Sequence, residues 1–159
     1  MRRKVNVLEN IIVGAERPGN EVAVGSAGVE QHALAGLDFV RLAELRKQTV
    51  QSLSYGHRRL AEIARALAGS PKLLLLDEPG AGLNTVEKSE LVQLLKRLKG
   101  HGLTILVIDH DMNLVEQVAD RITVLNFGRR IADGPPAEVL RNPEVIAAYL
   151  GNVKTHVAP

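Results

Sequence analysis

The feature that most constrains this chain is a set of short apolar runs separated by helical segments. The runs are Leu73–Leu76, Leu103–Ile108 and Ile122–Leu125. Apolar residues recur at helical spacing between the first two runs, as in Leu91–Leu98. Such alternation is typical of a parallel sheet covered by helices on both faces. We therefore predict an α/β core that begins near Leu53.

The rest of the chain divides by its own patterns. The stretch 14–30 is rich in glycine and predicts an irregular loop, and Asn126-Phe127-Gly128 predicts a hairpin turn between two short strands. We divide the chain into a helical subdomain at 1–52, the α/β part at 53–151 and a polar tail at 152–159. The further predicted helices are about Val5–Val13, Glu30–Leu45, Arg58–Ala68, Met112–Ala119, Pro136–Leu140 and Pro143–Leu150.

Composition excludes several classes of protein. Apolar residues make up 45% of the chain and charged residues 24%, which are ordinary globular values. The formal net charge of +2 is too small to indicate nucleic-acid binding. The sequence contains no cysteine, and its basic start is followed by Asn6, Glu9 and Asn10 rather than by an apolar stretch. We expect a cytoplasmic protein with no signal peptide and no spanning helix.

Two carboxylates follow the first apolar run directly. Asp77 and Glu78 come after Leu73–Leu76, at the edge of an open α/β sheet where ligands bind. Adjacent carboxylates after a buried strand repel each other, and a cation such as Mg²⁺ would relieve the repulsion. Capping of the next helix is a weaker explanation for this pair. One carboxylate could hold the metal while the other accepts a proton from water.

A second polar cluster, Asp109-His110-Asp111, follows Leu103–Ile108. Helix capping is the better explanation for either aspartate taken alone. A lone histidine is usually a surface or core residue, but His110 lies at the same predicted sheet edge as Glu78 and could contact a phosphate oxygen. No histidine spacing in the sequence indicates a zinc site.

The segment Leu53-Ser54-Tyr55-Gly56-His57 opens a predicted helix. Ser54 is a good N-cap residue, which an ordinary capped helix explains. Tyr55 and Gly56 are poor choices early in a helix, so an anion bound at the helix terminus would account for them better.

Taken together, these elements resemble the ATP-binding subunit of ABC transporters. The resemblance rests on five elements in this order and at these spacings: Leu53–His57, Arg58–Leu67, Leu73–Pro79, Gly82-Leu83-Asn84 and His110. The turn Ala81–Asn84, the sequence Leu53–Gly56 and the ending Asn142–Gly151 resemble the branched-chain amino-acid importer subgroup, as does Val7–Ile11. The fold that this implies is a P-loop NTPase-like, mostly parallel sheet flanked by helices, with a small helical subdomain at the amino terminus.

The resemblance implies a role for each matching residue. Asp77 would hold Mg²⁺ through water, Glu78 would polarise the attacking water, and His110 would sense the γ-phosphate. The family works as a head-to-tail dimer, in which Ser54 and Gly56, with Tyr55 and His57 beside them, would face ATP on the opposite subunit. Asn84 belongs to the loop that would couple the two sites. The implied partners are a second ATPase subunit and membrane permease subunits, at the inner face of the cell membrane.

The sequence departs from the family in several positions and in one larger feature. His57 stands where glutamine is usual, Tyr55 where glycine is common, and Asn84 where aspartate is commoner. No G-x-x-x-x-G-K-[ST] motif occurs in the sequence. That loop supplies the amides and the lysine that cradle ATP phosphates. We therefore expect an incomplete ABC ATPase fold that is inactive alone, with open strand edges that favour self-association or exchange of elements.

Three functions remain open at this point. The first is the ATP-binding subunit of an ABC importer for branched-chain amino acids, in an amino-terminally truncated form. The second is a non-catalytic module that docks on a full-length ATPase subunit and completes its site in trans. The third is an ABC relative outside transport, in DNA repair or translation, but the chain lacks the long insertions usual there.

Overall fold

The computed structural model describes residues 5–16 and 26–150. The chain divides into two compact units, Met1–Ile108 and Asp109–Pro159. The predicted polar tail 152–159 and part of the predicted loop at 14–30 lie outside the described residues. The boundaries predicted at residues 52 and 151 stay predictions.

Three helices form one side of the first unit: α1 (Val7–Ala15), α2 (Ser26–Phe39) and α3 (Tyr55–Leu67). A reciprocal cap fixes the start of α1, because the Asn6 side chain accepts from the Glu9 amide and the Glu9 carboxylate accepts from the Asn6 amide. The residues that these helices bury against one another are mostly small or β-branched. They include Val7, Ile11, Ala15, Ala33, Leu37, Ile63 and Ala64.

Two sequence predictions in this region were wrong. The predicted loop at 14–30 is helical at both ends, because α1 runs to Ala15 and α2 starts at Ser26. The predicted helix Glu30–Leu45 stops at Phe39, and Arg41 adopts a left-handed φ of 60°. The chain then continues through two 3₁₀ turns, Ala43–Leu45 and Val50–Ser52.

A parallel two-stranded sheet follows, with β1 (Leu73–Asp77) paired to β2 (Thr104–Ile108). Helix α4 (Thr85–Gly100) connects the strands and buries one apolar face. The strands are in register from Leu73 opposite Thr104 to Asp77 opposite Ile108. The predicted strands and the predicted α4 periodicity are confirmed. The buried residues of α4 are Leu91, Val92, Leu94, Leu95 and Leu98.

The residues that the structure describes cover one face of the sheet, which corrects the prediction of a fully buried β1. Leu74 is buried, but its neighbours Leu73 and Leu75 are 50% and 64% exposed. On β2, Leu106 and Ile108 are 53% and 60% exposed. We call these four side chains the outer face of the sheet. Successive residues of a strand point to opposite faces, so α4 and its neighbours can bury one set while the other set stays exposed among residues 5–16 and 26–150.

The second unit contains α5 (Met112–Val118), a hairpin of β3 (Ile122–Asn126) and β4 (Arg129–Gly134), and the short helices α6 (Pro136–Val139) and α7 (Pro143–Val145). The last helix continues as a π-helical turn, Ile146–Leu150. The antiparallel hairpin confirms the predicted turn, in which Phe127 and Gly128 both have positive φ. A small apolar core holds this unit together. It consists of Val115, Ile122, Val124, Val139 and Val145.

An exposed charge network lies on the hairpin. Arg121 donates to both carboxylate oxygens of Asp133, at 3.0 and 2.8 Å, and the Thr123 hydroxyl donates to the same carboxylate. The Arg121 hydrogen bonds hold the pKa of Asp133 below its usual range, and the Thr123 hydrogen bond lowers it further. Reciprocally, hydrogen bonding to Asp133 raises the pKa of Arg121.

The fold is thus a mixed helix-and-sheet structure with a small parallel sheet, as expected for an incomplete P-loop NTPase-like α/β protein. Among the described residues, β2 pairs only with β1, and β3 pairs only with β4. In the same part of the chain, no helix is both long enough and apolar enough to cross a membrane.

Candidate functional site

Asp77 and Glu78 lie at the carboxyl end of β1, where the sequence places them, and both are exposed. The Glu78 amide donates to the Ile108 carbonyl at 2.7 Å, which extends the parallel pairing by one residue beyond β1. Glu78 has a φ of 44°, a left-handed conformation that is uncommon for a residue other than glycine. Such strain persists only where the surrounding structure holds it, and it often occurs at functional sites.

Arg59 on α3 contacts this turn, and the sequence analysis missed it. Its Nη2 donates to the Glu78 carbonyl at 3.2 Å, while Nη1 donates to Glu62 at 3.0 Å. The Arg59 Nε–H is buried with no acceptor among the described residues. Arg59 and Glu78 are 19 positions apart in the chain. No local sequence pattern signals such a contact, because only the tertiary packing of α3 against the end of β1 creates it.

The turn that opens α3 packs against the loop that precedes α4. Ser54 is the N-cap of α3, and its hydroxyl accepts from the His57 amide at 3.2 Å. A Cβ added to Gly82 would lie 3.0 Å from the Tyr55 ring, and Gly82 has a φ of +73°. Tyr55 therefore lies directly against Gly82, and the two segments that the sequence singled out are neighbours in the first unit.

Packing explains why a glycine occupies position 56, which the sequence did not reveal. Gly56 is buried, and a side chain at this position would collide with the carboxylate of Glu87. That carboxylate accepts from the Asn84 amide, while the Asn84 side chain accepts from the Glu87 amide. Close approach thus accounts for a glycine at position 56 without a bound anion, while the predicted anion contact at this turn stays a prediction.

A small cavity lies between the start of α3 and the start of α4. Its volume is about 40 Å³, which admits a water molecule and not a nucleotide. Its polar lining residues are His57, Arg59, Glu87 and Glu90. The described surface therefore offers the Ser54–His57 turn as an exposed edge rather than as an enclosed nucleotide pocket.

His110 belongs to the second unit, and its side chain is 70% exposed. The neighbouring Asp109 side chain is buried and accepts from the Asp111 amide at 2.9 Å. Asp111 is the N-cap of α5 and accepts from the amides of Asn113 and Leu114. The capping explanation is thus confirmed for Asp111.

The donor set at the end of β1 fits Mg²⁺ in the way that nucleotide enzymes hold it. Within residues 5–16 and 26–150, no group of three or more candidate side chains forms a protein-only metal cage. Mg²⁺ is usually held by one or two carboxylates together with water and substrate phosphates. The exposed Asp77 carboxylate can supply such a ligand through water.

Comparison with known proteins decides the family. A model described as "ABC transporter" matches residues 2–81, half of the chain. The chain belongs to the ABC transporter family. A second model, for the branched-chain amino acid ATP-binding cassette transporter, matches residues 129–154.

Similar proteins agree with this assignment. The high-affinity branched-chain amino acid transport ATP-binding protein BraF of Pseudomonas aeruginosa is 43% identical over 76% of this chain and 48% of its own length. The lipopolysaccharide export system ATP-binding protein LptB of Escherichia coli is 38% identical over 77% of this chain and 51% of its own length. The chain thus spans about half the length of these curated relatives.

A solved structure supports the fold. The crystal structure of an ATP-binding cassette of an ABC transporter, in its ADP conformation, matches with a TM-score of 0.79 and 31% identity. The match covers 93% of this chain and 63% of the other. The expected family and fold class are therefore confirmed.

Proposed function

We propose that this chain acts as part of the ATP-binding subunit of an ABC importer for branched-chain amino acids. The observation that carries the proposal is that the Ser54–His57 turn, the Gly82–Asn84 loop and the Asp77-Glu78 pair are held in one unit of an ABC family fold. These are the segments to which the resemblance assigns phosphate contact, site coupling and catalysis.

The carboxylates at the end of β1 would act on water and on the metal. Asp77 would hold Mg²⁺ through a water molecule, and Glu78 would orient the attacking water and accept its proton. Bound Mg²⁺ would neutralise charge on the ATP phosphates. His110, exposed on the second unit, would donate to the γ-phosphate.

The contribution of Ser54 and Gly56 would be made in trans. No G-x-x-x-x-G-K-[ST] motif occurs in these 159 residues, so the phosphate cradle would come from residues outside this sequence. The exposed Ser54–His57 turn would then close over ATP held by the P-loop of a second ATPase subunit. The alternative function is a non-catalytic module that completes the site of a full-length subunit in this way.

The substrate proposal rests on the carboxyl-terminal part of the chain. The branched-chain amino acid model matches residues 129–154, and BraF is the more similar of the two relatives above. Permease subunits would receive the chain at the inner face of the membrane and would determine which amino acid is carried.

A complementation assay tests the proposal. A full-length subunit similar to BraF, with its P-loop intact and alanine in place of the serine that corresponds to Ser54, should hydrolyse little ATP alone. Adding this chain should restore hydrolysis, because Ser54 completes the site. The variant Ser54→Ala should restore none, while the matched control Ser52→Ala should behave as wild type.

The two functions differ in one further variant. Ser54 and Glu78 of one chain would act on different ATP molecules, so Glu78 is tested in a joined subunit, in which the P-loop-bearing amino-terminal part of the subunit similar to BraF precedes this chain. If the carboxylates of this chain are catalytic, the joined subunit should hydrolyse ATP and Glu78→Gln should lower its rate, as expected for the importer subunit. If the joined subunit hydrolyses no ATP while this chain still restores hydrolysis in the complementation assay, the chain acts only as a docking module. Failure of the wild-type chain to restore any hydrolysis would contradict both.

A further inference from the structure

Hydrogen bonds of its backbone groups constrain the conformation of Glu78. Its amide donates to Ile108 on β2, and its carbonyl accepts from the Ala81 amide at 3.1 Å and from Arg59 Nη2 at 3.2 Å. Its φ of 44° carries a cost that these contacts must offset. Of these three hydrogen bonds, the one from Arg59 comes from outside the turn and the sheet.

The Arg59 contact is specific and partly shielded from water. The Arg59 side chain is 25% exposed, and its Nε–H is buried without an acceptor among the described residues. Burying that N–H is unfavourable, so the two Nη contacts must hold the guanidinium in place. A hydrogen bond from a charged donor is stronger than one between neutral groups. Arg59 thus adds a directed, charge-assisted restraint on the Glu78 peptide.

The helix that carries Arg59 also carries the exposed turn of the candidate site. Ser54 caps α3, and Arg59 lies in the second turn of the same helix. A rigid helix transmits a displacement of its amino terminus to a side chain this close. Any contact that shifts the Ser54 end of α3 therefore shifts the donor that fixes the Glu78 carbonyl.

We propose that Arg59 is a positioning residue, which holds the left-handed turn at Glu78 and links the direction of the Glu78 carboxylate to the position of α3. The link to hydrolysis rests on the function proposed above, whereas the restraint on the turn does not. Arg59 acts through the Glu78 backbone and touches no reacting atom.

The test compares variants in the full chain by amide hydrogen exchange over residues 77–83. Arg59→Met keeps the apolar stem and removes every donor, so exchange of the Ala81 amide, which bonds to the Glu78 carbonyl, should be about tenfold faster. Arg59→Lys should lie between wild type and Arg59→Met. Glu62→Ala, which removes only the Nη1 partner, should give a smaller rise than Arg59→Met. Arg58→Met, which alters the neighbouring arginine, is the control and should leave this segment unchanged.

A second readout separates positioning from general stability. In the joined subunit described above, in which Glu78 and the supplied P-loop belong to one polypeptide, Arg59→Met should lower kcat by about tenfold to a hundredfold with KM for ATP unchanged, and Arg59→Lys should recover part of the loss. Unchanged exchange at 77–83, or exchange that rises equally throughout the chain, would overturn the proposal. If the wild-type joined subunit hydrolyses no ATP, the proposed function fails, and the exchange data still decide whether Arg59 restrains the turn.

Discussion

The helical layer α1–α3 and the outer face of the β1–β2 sheet contain similar apolar residues, but those of the helices are buried and those of the sheet face are exposed. Ile11 and Leu37 in the helical layer are completely buried, whereas Leu75 on the sheet is 64% exposed. The helical layer supplies its own cover, because each helix packs against the other two. No element of the described residues covers the outer face of the sheet. Apolar sequence therefore predicts where a strand forms, but not whether both of its faces are covered.

The largest expected contrast between the two regions comes from cavity formation. Ile11→Ala should lower the free energy of unfolding by about 2–5 kcal/mol, because it removes buried methyl groups and leaves a void. Leu75→Ala should change it by less than about 0.5 kcal/mol, because the side chain is already largely in water. Urea unfolding followed by circular dichroism measures both. Equal losses for the two variants would mean that the outer face is covered in solution.

A second contrast uses glycine. Gly14 on α1 lies so close to the backbone and side chain of Arg65 on α3 that an added Cβ would collide with them. Gly14→Ala should therefore destabilise the first unit by about 1–3 kcal/mol. Gly100→Ala is the matched control, because nothing lies within 4 Å of a Cβ there. The control should be neutral or stabilising by up to about 1 kcal/mol. Thermal unfolding measures both variants, and equal melting temperatures would mean that α1 and α3 pack less closely than described.

Self-association is predicted from two features: the outer face of the sheet, and the edge of β2 that pairs with no other strand of the described residues. An exposed apolar strand pair is a template for pairing with another chain. The double variant Leu75→Lys, Leu106→Lys should weaken association by about tenfold or more in sedimentation velocity, because like charges would meet across the contact. Val86→Lys, on the 68% exposed Val86 of α4, is the control and should associate as wild type. A wild-type chain that stays monomeric at all concentrations would contradict the prediction.

The smallest expected effect on stability comes from a surface charge. It is a reference against which the effects of the buried residues can be compared. Hydrogen bonding to Arg121 lowers the pKa of Asp133 in the folded state. Its contribution to stability is therefore fully present above the ordinary carboxyl pKa of about 4, and is lost as the pH falls through the lowered value. Asp133→Asn should lower the melting temperature slightly at pH 7, and this loss should shrink as the pH falls through the lowered pKa. A loss that stays equal across this range would exclude the charge as its cause.

The sequence predicted the elements better than their surroundings. The apolar runs predicted the positions of β1, β2 and the hairpin. The helical spacing within Leu91–Leu98 identified the buried leucines of α4. Ser54 and Asp111 were recognisable as caps, because N-capping is encoded within a few residues. Close approaches between distant segments left no such local signal. Gly56 against Glu87, Tyr55 against Gly82 and Arg59 against the Glu78 carbonyl all depend on tertiary packing.

The same limit explains the wrong prediction for β1. Four consecutive leucines look like a strand buried on both faces, and burial of one face is all that α4 and its neighbours supply. The end of α2 was misplaced for a different reason. The periodicity continues past Phe39, but Arg41 adopts a left-handed conformation and ends the helix.

The central proposal is that Asp77 and Glu78 are catalytic carboxylates and that the Ser54–His57 turn contacts ATP in an ABC ATPase site, with the phosphate cradle supplied by residues outside this sequence. Binding of a fluorescent ATP analogue with Mg²⁺ to the purified 159-residue chain tests it most directly. The account predicts no saturable binding by the chain alone, and binding once a P-loop-bearing subunit is added. Saturable binding by the chain alone that weakens in Asp77→Asn and His110→Ala would contradict it, because these residues would then hold the nucleotide without a P-loop.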